Sequence, residues 1–143
     1  MYKFHLLIML FLFTGCSTQT QQKMIQETHP ALDHSDSLLN EIYQTVLLNY
    51  QSDTIFINNL KKSQHLWLQF RESEMEMKYP DYPENYYGSM HHTCKALYKK
   101  ELTETRVETL QKWITGIEEG DICLGSVRMR TSSTVTGPDA GVQ

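Results

Sequence analysis

The sequence predicts an all-α protein: an antiparallel three-helix bundle with a Tyr/Pro-rich loop between its second and third helices, and disordered termini. Three observations carry this expectation. Apolar residues recur every three or four positions in three separate stretches. Polar or proline-bearing segments divide those stretches, at Gln51-Ser52-Asp53 and across residues 79–88. The connections are short, which favours antiparallel neighbours. At 143 residues the chain fits one domain.

The chain opens with a targeting segment. Lys3 precedes the apolar run of residues 4–13, which is too short to span a bilayer as a stable helix and suits a secretory signal. Phe13-Thr14-Gly15-Cys16-Ser17 resembles a bacterial lipoprotein processing site, where small residues precede a cysteine that is acylated and becomes the mature N-terminus. Phe13 departs from the leucine usual at its position. The plainer alternative makes Cys16 an ordinary residue near a conventional cleavage site. Each buried acyl carbon contributes about 0.8 kcal/mol, so several chains on Cys16 would hold the protein on a membrane without a spanning helix. Ser17 in place of Asp implies, by resemblance to Gram-negative lipoproteins, the outer membrane facing the periplasm. Residues 1–16 are therefore read as signal. Residues 17–31 are polar, lack apolar periodicity and read as a flexible tether.

The helical domain is expected over residues 32–120. In its first helix Leu38, Leu39, Ile42, Tyr43, Val46, Leu47 and Tyr50 form one broad apolar face over residues 33–50. Ser52 or Asp53 can cap the second helix by accepting from its first free amides. That helix runs to Lys78, where Tyr79-Pro80 stops it, because the residue before a proline is pushed out of helical geometry. At about 100° per residue, Phe56, Leu60, Ser63, Trp67, Phe70, Arg71 and Glu74 share one arc. Ser89 is a plausible cap for the third helix, whose stripe is Tyr98, Leu102, Arg106, Leu110, Trp113, Ile114 and Ile117. Gly116 weakens its last turn and Gly120 should end it. Residues 121–143 are read as a disordered tail, small and polar from about Gly125 onward.

Charge excludes one class of function. There are 13 basic against 17 acidic side chains, and removal of Lys3 with the signal leaves 12 against 17, a net of about −5 with neutral histidines. Neutralising phosphates needs a concentrated basic stripe, and none is visible, so nucleic acid is not an expected partner.

Polar residues within the apolar arcs need explanation. Arg71 and Glu74, three apart on one helix, are neighbours able to pair locally. Folding the helices about their loops puts Asn40, Gln64 and Arg106 at one level. Asn40, Gln64, Arg71, Glu74 and Arg106 are accordingly expected as a structural polar core that fixes helix register.

The same positions carry a resemblance. Leu39-Asn40 and Tyr43, then Gln64, Trp67, Phe70-Arg71 and Glu74, then Leu102-Thr103, Arg106 and Leu110 resemble the LN-x-x-Y, Q-x-x-W-x-x-FR-x-x-E and LT-x-x-R-x-x-x-L pattern of the LprI-like lysozyme-inhibitor family of bacterial envelope proteins. The resemblance covers residues 38–110. It implies a small, all-helical, often lipidated, non-enzymatic domain whose namesake activity is inhibition of lysozyme. Members often carry a cysteine just after the glutamate matching Glu74, paired with one in the third helix. Here Met75 stands there and Cys94 lies about one turn early, so the usual staple is absent. Cys94 and Cys123 remain besides Cys16 in an exported chain. A continuous third helix puts Cys94 more than about 30 Å from its far end, a distance the few residues to Cys123 cannot retrace. Either the third helix breaks, or the two thiols stay free or bridge between molecules; unpaired thiols are the favoured expectation.

Catalytic and metal chemistry finds little support. His91 and Cys94 share a helix face with His92 nearby, but a zinc site needs three or four ligands at recognisable spacing. No metal and no cofactor is expected. A Cys–His nucleophile lacks an orienting third group and an oxyanion cradle. Glu72, Glu74 and Glu76 diverge around the helix and cannot flank one glycosidic bond. No enzymatic activity and no small-molecule substrate is expected.

The loop offers more. Tyr79, Tyr82, Tyr86 and Tyr87, stiffened by Pro80 and Pro83, form a candidate partner-binding loop, because tyrosine offers contact area at small entropic cost. The alternative role for these rings is to cap the open end of the bundle. Two readings follow. One is a lipid-anchored envelope protein that binds and inhibits lysozyme-type muramidases. The other is a structural or accessory lipoprotein whose helices dock another envelope protein.

Overall fold

The computed structural model describes residues 15–130 apart from 84, 119 and 121, with the side chains of 15–18 left out. Residues 1–14 and 131–143 lie outside the described residues, as do the expectations made for them. Three helices form the fold: α1 over Gly15–Asn49, α2 over Thr54–Lys78 and α3 over His91–Thr115. Among the described residues there is no strand, only one bridge between Ile117 and Met129.

α1 begins far earlier than apolar periodicity indicates. Residues 17–31, expected as a tether, form its N-terminal half. Glutamine, lysine, methionine and glutamate lose little rotamer freedom in a helix, so they sustain one where packing does not. Residues 19–27 are exposed, which is why no apolar stripe marks them. Pro30 sits inside the helix without an N–H to donate to the preceding turn.

α2 starts and stops where expected. Asp53 Oδ1 accepts from Phe56 N at 2.9 Å, and Tyr79, next to Pro80, closes the last turn with its N–H on Met75 O. α3 is capped differently from the expectation. Its N-cap is Met90, without a side-chain cap bond, and Ser89 takes no part. It ends at Gly116, not at Gly120. Gly116 has φ 70°, and a Cβ there would lie 2.8 Å from Arg128 O, so only glycine lets the returning chain approach.

That return corrects the expected disordered tail over 122–130. Ile117 N donates to Arg128 O at 3.2 Å and Arg130 N to Ile117 O at 2.8 Å. Val127 is buried, and the Arg128 guanidinium lies 4.1 Å over the Tyr50 ring while donating to Asn49 O. The segment forms a strap across one end of the bundle.

The topology is up-down-up. Ser35 Oγ lies 3.4 Å from Glu104 Oε1, and His29 lies beside His92 and Lys95, so α1 and α3 run in the same direction. Arg71 reaches back to Asp36 and Arg106 to Gln64, so α2 runs against both. The N-terminus of α1 and the α2–α3 loop therefore share one end, and the 50–53 turn and the strap share the other.

The core sits toward the strap end. Leu39, Ile42, Val46 and Tyr50 of α1 meet Leu60 of α2 and Leu110 of α3, with Phe56, Trp67 and Trp113 packed around them. Toward the loop end the α1–α3 seam is made of small buried residues, Thr28, Ser35, Thr93, Ala96 and Thr103, which allow close approach. α2 stands further off, and part of its expected apolar arc faces solvent, with Phe70 52 % exposed.

Candidate functional site

Most of the residues singled out in the sequence fall into two constellations, one polar and internal, the other aromatic and partly exposed. Arg71 anchors the first. Its side chain is 9 % exposed, and Nη1 donates to Asp36 Oδ1 at 2.6 Å and to Thr103 Oγ1 at 2.9 Å, joining all three helices. Its Nε lies 3.4 Å from Glu72 Oε1, a charge contact without hydrogen-bond geometry. Toward the other end of the bundle, Arg106 Nε donates to the buried Gln64 Oε1 and Nη2 to Ser63 Oγ, both at 3.0 Å. The two guanidinium groups lie 5.1 and 5.8 Å from the Trp67 ring, on which each places its cation.

Three details depart from the expectation. Asn40 is exposed and outside this layer. The α1 residue that joins the polar layer is Asp36, one turn earlier, which accepts from Arg71. Arg71 and Glu74 do not pair with each other: Glu74 Oε2 accepts from Tyr98 OH at 3.0 Å. Sequence reasoning missed Asp36, Thr103 and Tyr98. Thr103 had a signal, since it falls one turn before Arg106 on the same face.

The second constellation is the 79–90 loop. Pro80 O accepts from Tyr82 N at 2.8 Å and from Tyr87 OH at 2.8 Å, which folds the loop onto its own start. Asn85, at φ 71°, takes the left-handed turn conformation that asparagine tolerates. Tyr87 stacks on His91 at 4.2 Å, and Tyr79 meets Tyr87, His91 and Tyr98 within 6.4 Å. Lys78 Nζ covers the Tyr98 ring at 3.4 Å. Tyr79 and Tyr87, both half-buried, thus close the end of the bundle. Tyr82 and Tyr86, 4.5 Å apart, are 48 % and 67 % exposed and turn outward. The rings divide between the two roles considered for them.

The electrostatics follow this division. Burial pushes the Tyr79 and Tyr87 hydroxyls above the usual tyrosine range, and the Glu74 hydrogen bond does the same for Tyr98. All three stay protonated donors at neutral pH. The loop borders a hollow of about 680 Å³ whose wall includes Glu76 and Asp81 beside the rings. Its contact chemistry is amphipathic and partly acidic. His91 Nε2 is buried there without a hydrogen-bond partner among the described residues.

The remaining candidates do not converge. Glu72 pairs with Lys99, Glu74 with Tyr98, and Glu76 faces the loop hollow. Cys94 is exposed, and no disulfide links it to Cys123. Among the described residues no group of three His, Cys, Asp or Glu side chains could hold a metal, and no helix is long and apolar enough to cross a membrane. Cys16 lies in the first turn of α1, with its side chain outside the described residues.

Neither a curated protein nor a solved structure matches this chain. A family model described as lysozyme inhibitor LprI matches residues 15–110, more than half of the sequence. The matched span runs from the first turn of α1 to Leu110 in the core, taking in Arg71, Gln64, Arg106 and the whole aromatic loop; the chain belongs to the lysozyme inhibitor LprI family.

Proposed function

We propose that this protein is a non-enzymatic, lipid-anchored envelope protein that binds lysozyme-type muramidases through the 79–90 loop and inhibits them. Membership in a lysozyme-inhibitor family is the observation that carries this reading. The loop supplies the chemistry. Tyr82 and Tyr86 offer exposed amphipathic area on a turn that Pro80 and the Tyr87 hydroxyl stiffen, so little ordering entropy is lost on contact. The acidic balance of the chain suits basic lysozymes, with steering that weakens as salt rises. Acylation of Cys16 would keep the inhibitor at the outer membrane, facing the periplasm.

The test uses the chain from Ser17 onward, which contains every apolar side chain buried among the described residues, Leu39 to Val127. At micromolar excess and low ionic strength it should slow cell-wall lysis by a basic lysozyme. Deleting residues 82–87 should abolish inhibition while helical circular dichroism is retained. If several lysozymes remain fully active with the intact protein, the reading fails. Mass spectrometry of the membrane fraction, with Cys16→Ser as control, tests the anchor.

A further inference from the structure

Beside the aromatic loop the structure has a second concave surface, at the opposite end and between different faces. Between α2 and α3, toward the strap, lies a groove of about 440 Å³ lined by Ile55, Phe56, Leu60, Leu110 and Trp113, with Arg106 at one end and Asp53 at the other. The volume lies within the range of small-molecule sites, about 300–1,000 Å³. From Asp53 to Ser63 the α2 wall runs about 15 Å at 1.5 Å per residue. The groove is therefore long, narrow and apolar along most of its length.

Arg106 gives it polarity. Nε and Nη2 are held by Gln64 and Ser63, which aim the guanidinium without neutralising it. Among the described residues every ion pair is made by other side chains, so this half-buried cation has no carboxylate. Burial also lowers the Arg106 pKa from its usual value, the mark of a charge that has lost solvent without gaining a counter-charge. Asp53, the one carboxylate in the lining, lies at the far end and is engaged as the α2 cap. An occupant that satisfies this wall carries an anion at one end and apolar length behind it.

We propose that the α2–α3 groove binds a single-chain fatty acid, with its carboxylate on Arg106 and its acyl chain lying along Phe56, Leu60 and Trp113 toward Ile55. Planar carboxylate suits the fork of a guanidinium whose other donors are already fixed. The site is independent of the muramidase reading, since it shares no residue with the 79–90 loop.

Isothermal titration calorimetry on the chain from Ser17 onward tests this with laurate and a lauroyl lysophosphatidylglycerol below their micellar concentrations and dodecanol below its solubility limit. Laurate should bind saturably at one site and at least about tenfold more tightly than dodecanol, the range of a hydrogen bond to a charged group. Arg106→Gln should bring laurate down to the alcohol's affinity, and Arg106→Lys should restore part of the gap. Ile55→Asp, at a position 77 % exposed, leaves the bundle intact and should weaken both ligands. The proposal is overturned by absent or non-saturable binding, by equal affinity for the alcohol, or by Ile55→Asp changing nothing. Preference for the lysophospholipid over laurate overturns the carboxylate assignment.

Discussion

The two seams that α3 makes with its neighbours are built on opposite rules. Against α1 it presents Thr93, Ala96 and Thr103, side chains so small that the two backbones approach closely, and the Thr103 hydroxyl returns to its own helix, Oγ1 donating to Lys99 O at 2.8 Å. Against α2 it presents Arg106, Leu110 and Trp113, whose bulk holds the helices apart and leaves the groove. The close seam spends its surface on cohesion. The open seam keeps apolar area and a charge facing outward, so recognition chemistry other than the loop's can arise there.

The largest expected effect comes from the residue that ties α2 to the close seam. Arg71→Ala removes bonds to both α1 and α3 and leaves a cavity, and should destabilise by about 2–3 kcal/mol, less than for a fully buried pair because Asp36 is 43 % exposed. Arg71→Met, which fills the space, should recover most of that in urea melts. If Arg71→Ala is neutral, α2 is held by its apolar contacts alone.

Placing a leucine in each seam separates the two more sharply. Ala96→Leu, at a position 7 % exposed, should destabilise by about 1–3 kcal/mol through overpacking. Asn59→Leu, which lines the open groove, should stay within about 0.5 kcal/mol. Equal effects in thermal melts would mean that the seams do not differ in packing.

The smallest effect concerns pH. Glu72 bridges α2 to Lys99 of α3 at 2.8 Å, and that hydrogen bond holds its carboxyl below the usual 4.5. A lowered folded pKa contributes stability that is present above 4.5 and is lost as pH falls from there through the lowered value. Glu72→Gln should flatten the acid side of the stability profile slightly, since the pair is half-exposed. An unchanged profile would show that this bridge does not hold the open seam.

Local signals were legible in the sequence and long-range ones were not. The Asp53 cap and the stop at Tyr79-Pro80 depend on a few consecutive residues, and both are found where the residues place them. Gly116 against Gly120 could not be decided that way, because the deciding contact is Arg128 O arriving from twelve residues further on. Counting residues about the first turn put Asn40 level with Gln64 and Arg106, but it could not show that the Asn40 side chain faces solvent or that Asp36 reaches Arg71. The helix over residues 17–31 was hidden for a different reason. Periodicity reports burial, and an exposed helix made from good helix formers has none to report. Within the loop, four tyrosines were visible, but only the fold separates the supporting pair from the outward pair.

The up-down-up course has a geometric consequence for an acylated Cys16. Thirteen residues of helix separate Cys16 from His29, which is level with the start of α3, so α1 forms a stalk of about 20 Å beneath the bundle. The aromatic turn hangs at that same lower end. If the proposed anchor and loop capture both hold, stalk length would set how far from the bilayer a bound enzyme sits.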